Sequence, residues 1–180
     1  MPLCHFRRAK RSKVFSDIED ATFGHYASKK ETYFGFEGHV VISESGFITG
    51  YTVTKPNIER EASFECVAGL SGLLLGDKGY SGQNFHWEMS GEKIQVSVPP
   101  KKNQKDEESP LFRRYLNKTR RRVETVIGQL TERFSISKIW ARDTWHLTNR
   151  ISRKILSHTM AMLLLRTKGD GSMAIDQILV

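Results

Sequence analysis

Cysteine is nearly missing from this chain. Cys4 and Cys66 stand far apart with no metal-type spacing around either, which argues against a cysteine-built metal site. Two isolated thiols fit a reducing cytosol and read as inert. Long apolar runs are missing too. Met160 to Leu165, the longest near the C-terminal end, is six residues, against the ~20 a membrane-spanning helix needs. No apolar stretch follows the basic N-terminus, so no signal peptide is visible. No internal repeat or low-complexity segment is present. Negative charge is the scarcer sign. Against 28 Lys and Arg stand 20 Asp and Glu, giving a net +8 and a pI of about 9.6. That surplus favours a polyanionic partner, nucleic acid first and an anionic membrane second.

What is there suits one soluble domain. The 180 residues are 38% hydrophobic and 27% charged, enough chain to bury a sizeable core. Residues 1–30 read as a basic, irregular arm, with Arg7, Arg8, Lys10, Arg11 and Lys13 crowded together and Asp17, Glu19 and Asp20 after them. Pro2 to Phe6 looks like the tail of an apolar strand. Residues 32–54 predict a long antiparallel hairpin turning at Ser43 to Gly46, with His39 as a packed or edge histidine. Asn57 is a good N-cap for a helix over 58–70. Leu73, Leu74 and Leu75 run straight into Gly76 and Asp77. Such a run predicts a buried central strand with Asp77 past its carboxyl end, where open α/β sheets place ligands. The plainer reading of Asp77-Lys78-Gly79-Tyr80 is a surface turn.

A short helix around Phe85 and Trp87 and a strand through Ile94, Val96 and Val98 follow. Residues 101–122 form a basic, polar stretch containing Lys101, Lys102, Lys105, Arg113, Arg114, Lys118, Arg120, Arg121 and Arg122. Val123, Val126, Ile127, Leu130 and Phe134 then trace one helical stripe, with Glu124 at its margin. Arg120, Gly128 and Thr131 share Glu124's line along that helix. Residues 145–166 predict a further helix, with Leu147, Ile151, Ile155, Leu156, Met162 and Leu163 as core candidates. The order implies an α/β fold, a mixed sheet with helices on its faces. Asp77 and Glu124 could meet at one edge and share a hard divalent cation. An ordinary ion pair with Arg120 or Arg121 is the plainer reading of Glu124.

The strings GDKGY, RRRVETVIGQL and FSISKIWARD, and the hairpin FGFEGHVVISESGFITGYTVT, resemble the catalytic domain of bacterial insertion-sequence transposases of the DDE type, over roughly residues 1–165. The resemblance implies an RNase H-like fold and three acids that use Mg²⁺ (or Mn²⁺) to nick transposon ends and join them to target DNA. Asp77 matches the second acid and Glu124 the third, as catalytic residues and metal ligands. A related branch carries a Tyr-Arg-Glu-Lys signature. Arg120 fits its Arg, whereas Asn117 and Thr131 stand where its Tyr and Lys would be. The family's first acid precedes a segment like Leu3 to Phe6, so here it is expected upstream of Met1, and the chain reads as the distal piece of a transposase that does not cleave DNA by itself.

The expected layout is therefore a basic arm with a strand remnant over 1–30, an incomplete RNase H-like domain over 31–166 and a tail over 167–180. The DNA contacts are expected from Arg7, Arg8, Lys10, Arg11, Lys101, Lys102, Arg120, Arg121 and Arg122. The bacterial cytoplasm, a DNA partner, no membrane and a homodimer complete the expectation. Two alternatives stand beside it: a catalytically inactive remnant that binds DNA nonspecifically, and a basic RNA-associated protein whose acids are structural.

Overall fold

Strand β3, Glu31–Ile42, is twelve residues long and the first sheet is built around it. The computed structural model describes residues 1–6, 21–26, 31–56, 59–77, Tyr80, 82–99, 109–141, 143–169 and 171–178. Arg7, Arg8, Lys10, Arg11, Lys13, Asp17, Glu19, Asp20, Asn57, Lys78, Lys101, Lys102 and Lys105 lie outside the described residues. Strand β1, Pro2–Phe6, runs antiparallel to β3 with Leu3 opposite Phe36 and Phe6 opposite Phe34. Phe34 also faces Phe23 of β2, Thr22–Tyr26, while Glu37 faces both Pro2 and Thr54 of β4, Ile48–Thr54. Strands β2 and β4 therefore lie end to end along one edge of β3, and β1 lies along the other. The expected hairpin is β3–β4. Strand β2 falls where an irregular arm was expected. Its Thr, Phe and Tyr are strand formers next to a charge-rich neighbourhood that hid them.

Helix α1, Glu59–Val67, leads to β5, Gly72–Leu75, and helix α2, Gln83–Gly91, connects β5 to the parallel strand β6, Ile94–Ser97. Among the described residues, β5 and β6 form their own two-stranded sheet, so the single mixed sheet expected from the sequence is divided in two. Strand β5 is not a buried central strand. Leu73 is 48% exposed, while Leu74 packs with Val67, Phe85, Met89, Ile94 and Val96. Strand side chains alternate between faces; the Leu74 face is covered, while on the other Leu73 is exposed and Leu75 half-buried.

Helix α3, Pro110–Glu132, begins thirteen residues before the apolar stripe, inside the stretch read as polar. Ser109 caps it, its hydroxyl oxygen accepting from the Phe112 N–H at 3.2 Å, with Pro110 at the first helical position. A serine cap followed by proline is a helix start visible in the sequence. Phe134 falls beyond the helix end, in a turn where Ser135 takes φ 48°.

Helix α4, Thr144–Thr167, is capped by Asp143, which accepts from the His146 N–H at 2.8 Å. Leu147, Ile151, Ile155, His158, Met162 and Leu165 form its buried stripe. Leu156 and Leu163, expected in the core, are 61% and 47% exposed, since each sits about 100° round the helix from its buried neighbour. The tail does not hang free. Ile175 is fully buried with Met162 and Leu165, and Asp176 pairs with Arg133 at 2.9 Å. The Gln129 amide N–H donates to the Met173 carbonyl at 2.5 Å, which turns its oxygen to accept from His158 Nε2 at 2.9 Å. His158 Nδ1 is then a buried lone pair with no hydrogen-bond partner among the described residues.

Two stability predictions follow from this packing. A Cβ on Gly50 would lie 1.9 Å from the Cys66 carbonyl oxygen, whereas one on Gly128 would meet nothing within 4 Å. Gly50→Ala is expected to cost at least ~2 kcal/mol. Gly128→Ala, mid-helix, should gain ~0.5–1 kcal/mol. Denaturant titration of both variants checks this, and an unchanged midpoint for Gly50→Ala would contradict the close approach of α1 to β4. Burial lowers the His158 pKa from its ordinary 6.5, as protonation would put a cation in the core. The neutral ring's contribution is complete above the unfolded value and is lost as pH falls below it toward the folded value. The melting temperature should drop as pH falls through and below about 6.5, and His158→Leu should make that drop shallower. His39, also lowered by burial, leaves a residual slope in the variant.

Candidate acidic pair and nucleic-acid interface

Asp77 lies where the sequence placed it, past the end of β5. The Gly76 N–H donates to the Ser97 carbonyl at 2.9 Å, carrying the parallel pairing one residue further. Asp77 is exposed, and its carbonyl accepts from the Tyr80 N–H at 3.0 Å, closing a tight turn. The turn chemistry and the strand-end position thus coexist. The Tyr80 hydroxyl lies 3.5 Å from His39 Nδ1, and His39 Nε2 lies 3.0 Å from Thr54 Oγ1, whose own proton goes to the Lys55 carbonyl. His39 is thereby a neutral packed ring, with burial as the main cause lowering its pKa. Cys66 Sγ faces the His39 carbonyl at 3.7 Å, and burial pushes its thiol up to about 11, which accords with an inert cysteine.

Glu124 is carried by α3. Its Oε1 lies 3.3 Å from Arg120 Nε, with both side chains 65% exposed. The ordinary ion pair is therefore formed. Val126, one half-turn on, belongs to the same buried cluster as Leu3 and Phe36. Tyr80, three residues past Asp77, meets β3 at His39, and Val126 of α3 shares a buried cluster with Phe36.

Among the described residues no three His, Cys, Asp or Glu side chains come together as a metal site. Asp77 and Glu124 are nonetheless oxygen donors of the kind Mg²⁺ takes. An exposed pair such as Arg120–Glu124 is worth only ~0–1 kcal/mol, so a divalent ion can displace it. The two carboxylates fit a metal in donor chemistry, with water or phosphate needed for the remaining ligands.

The cations of α3 divide by face. Arg114, Lys118 and Arg121 are exposed and spaced i, i+4, i+7, so they share one line opposite the buried Val126 and Leu130. Glu124 stands between that line and the core face. Arg122 turns back to the protein. It donates to the Glu44 carbonyl and lies 3.7 Å from the Glu44 carboxylate, tying α3 to the β3–β4 turn. A second basic surface joins the outward cations of α4, which the sequence places outside the core, to the α3–α4 connection. Lys138, Arg150, Arg153 and Lys154 gather around Trp140, and α4's outward cations were the signal that could have found it.

No curated protein and no solved structure matches the chain. A family model described as the transposase DDE domain matches residues 1–144, from β1 to the first residue of α4, and takes in Asp77, Glu124 and the whole of α3. That span is most of the chain, and the protein belongs to the transposase DDE domain family.

Proposed function

We propose that this chain is an RNase H-like domain of an insertion-sequence transposase, that it grips DNA along α3, and that Asp77 and Glu124 are two of the carboxylates that take Mg²⁺ or Mn²⁺ to nick and join strands. Family membership makes transposition the process, DNA the partner and a divalent metal the usual cofactor in general terms. The finer reading is carried by α3, where one helix presents a basic line, an acid beside it and a buried face.

Phosphates held by Arg114, Lys118 and Arg121 would lie next to Glu124. Arg120 keeps that carboxylate extended toward solvent in the absence of a stronger cation. An antiparallel sheet followed by a parallel βαβ unit and a Glu-bearing helix is the order that supports the RNase H-like reading. A bound divalent ion would supply Lewis-acid activation of a water or 3′-hydroxyl. The residues of the chain orient the DNA backbone and supply oxygen ligands. A second reading, DNA binding without cleavage, is favoured by the existing Arg120–Glu124 pair and by the lack of a third acid beside it among the described residues.

Binding to duplex DNA should be salt-dependent, log K falling linearly with log salt by about 0.9 per phosphate contact. Replacing Arg114, Lys118 and Arg121 together by Ala should flatten that slope by ~2–3 for every sequence tested. A wild-type affinity indifferent to salt would refute the interface.

Metal dependence separates the two readings. With a short duplex present, Mn²⁺ at about ten times its Kd should stabilise the protein by ~1.4 kcal/mol, a few degrees in Tm. The Asp77→Asn, Glu124→Gln protein should lose that rise while its metal-free Tm stays within about 1–2 °C, since both carboxylates are exposed. An equal rise in both proteins would exclude these carboxylates as ligands.

A further inference from the structure

We propose that the concavity between the α3–α4 connection and the outer face of α4 is a docking site for one unpaired nucleotide, with its base stacked on Trp140 and its phosphate held by Lys138 and Arg153. The cavity is about 350 Å³ and is lined by Lys138, Ile139, Trp140, Arg150, Arg153 and Lys154. Four of those six residues are cations and none is an acid. An anion is the complement of such a set.

The connection is held in shape from inside. Ile136, Ile139 and Ala141 are buried at 0%, 5% and 5%, while Lys138 is exposed and Trp140 is 68% exposed. This alternation fixes which side chains face outward. The Lys138 N–H donates to the Ser135 carbonyl at 3.0 Å. From α4, Lys154 donates to the Phe134 carbonyl and Arg150 to the Trp140 carbonyl. Two of the four cations thus fasten the connection at both ends. A guanidinium has five N–H donors and an ammonium three, so each keeps donors to spare. Lys138 and Arg153 complete the charge.

The tryptophan decides the ligand class. A free phosphate would use the cations and make no use of the exposed Trp140 face. A nucleotide uses both, as each base has a face to stack and each phosphate a charge to neutralise. In a duplex those faces are already stacked on neighbouring bases. The cavity is also at the small end of ligand sites, ~300–1,000 Å³. Both facts select a single base out of the helix, such as the end of a nicked or frayed strand. The site is separate from the α3 line. The proposal rests on nucleic acid being the partner and is independent of the metal and of catalysis.

The test compares a short oligo(dT), a blunt duplex and inorganic phosphate, followed by Trp fluorescence and by competition. The 180-residue chain should bind oligo(dT). Trp140→Ala should weaken that binding about tenfold or more, with duplex affinity within about twofold of wild type, and Trp140→Phe should restore most of it by stacking. Lys138→Ala with Arg153→Ala, which removes one phosphate contact on a single strand, should reduce the salt slope for oligo(dT) by about 0.7. The side chains involved are exposed, and an unchanged Tm verifies that each variant is folded. Oligo(dT) binding that is absent, or unaffected by Trp140→Ala, overturns the site, and intact duplex binding then leaves the α3 interface standing. Competition by inorganic phosphate as strong as by the oligonucleotide also overturns it, in favour of a plain anion site. Loss of duplex binding upon replacing Arg114, Lys118 and Arg121, with oligo(dT) binding kept, shows that the two surfaces act separately.

Discussion

Between Phe34 and Glu37 the backbone of β3 is paired on both edges, and the other three strands of its sheet all take their register from that stretch. On one edge Leu3 and Phe6 are held by β1, and on the other Phe23 and Thr54 are held by β2 and β4. Alternation along the strand then divides two environments. The even-numbered Phe34, Phe36 and Ile42 belong with the cluster of α3 and α4, and Val41 belongs with the cluster of α1, α2 and the second sheet. His39, on the odd side, meets Tyr80. A one-residue slip in β3 would exchange these two sets of side chains. The Tyr80–His39 contact beside Asp77 would be lost with it.

Charge in this protein is handled by position. Some cations are consumed by the fold itself: Arg122 by Glu44, Arg133 by Asp176, Arg150 and Lys154 by carbonyls of the α3–α4 connection. Such contacts join separate segments of the chain, unlike the Arg120–Glu124 pair within α3. Arg114, Lys118 and Arg121 face solvent opposite the core. A sequence count cannot separate these two populations, because both are arginines and lysines on the same helices.

Much of the local structure was legible. The β3–β4 hairpin, α1, α2, β6 and α4 follow from period and turn chemistry, and Asp77 and Glu124 sit on the elements expected to carry them. Ser109 and Pro110 mark the true start of α3, within the stretch whose charge reads only as basic and polar. The exposure of Leu73 and the division of the sheet were not legible, as an apolar run does not say how many strands flank it. Leu156 and Leu163 show the limit of apolarity as a guide to burial, since helical phase set by Leu147 and Ile151 decided against them. Trp140 is an aromatic that stays 68% exposed. Its exposure follows from the alternate burial of Ile139 and Ala141 in a connection with no regular period.

The close seat of α1 on β4 at Gly50 has a chemical corollary. Cys66 is 4% exposed and its thiol is held up to about 11, so in the closed state it is both shielded and protonated, and a thiolate is the reactive species. An alkylating reagent can reach it only when the last turn of α1 lifts from the strand. Its modification rate therefore clocks that opening, and the cysteine serves as an internal gauge of how firmly the α1–β4 seam stays shut.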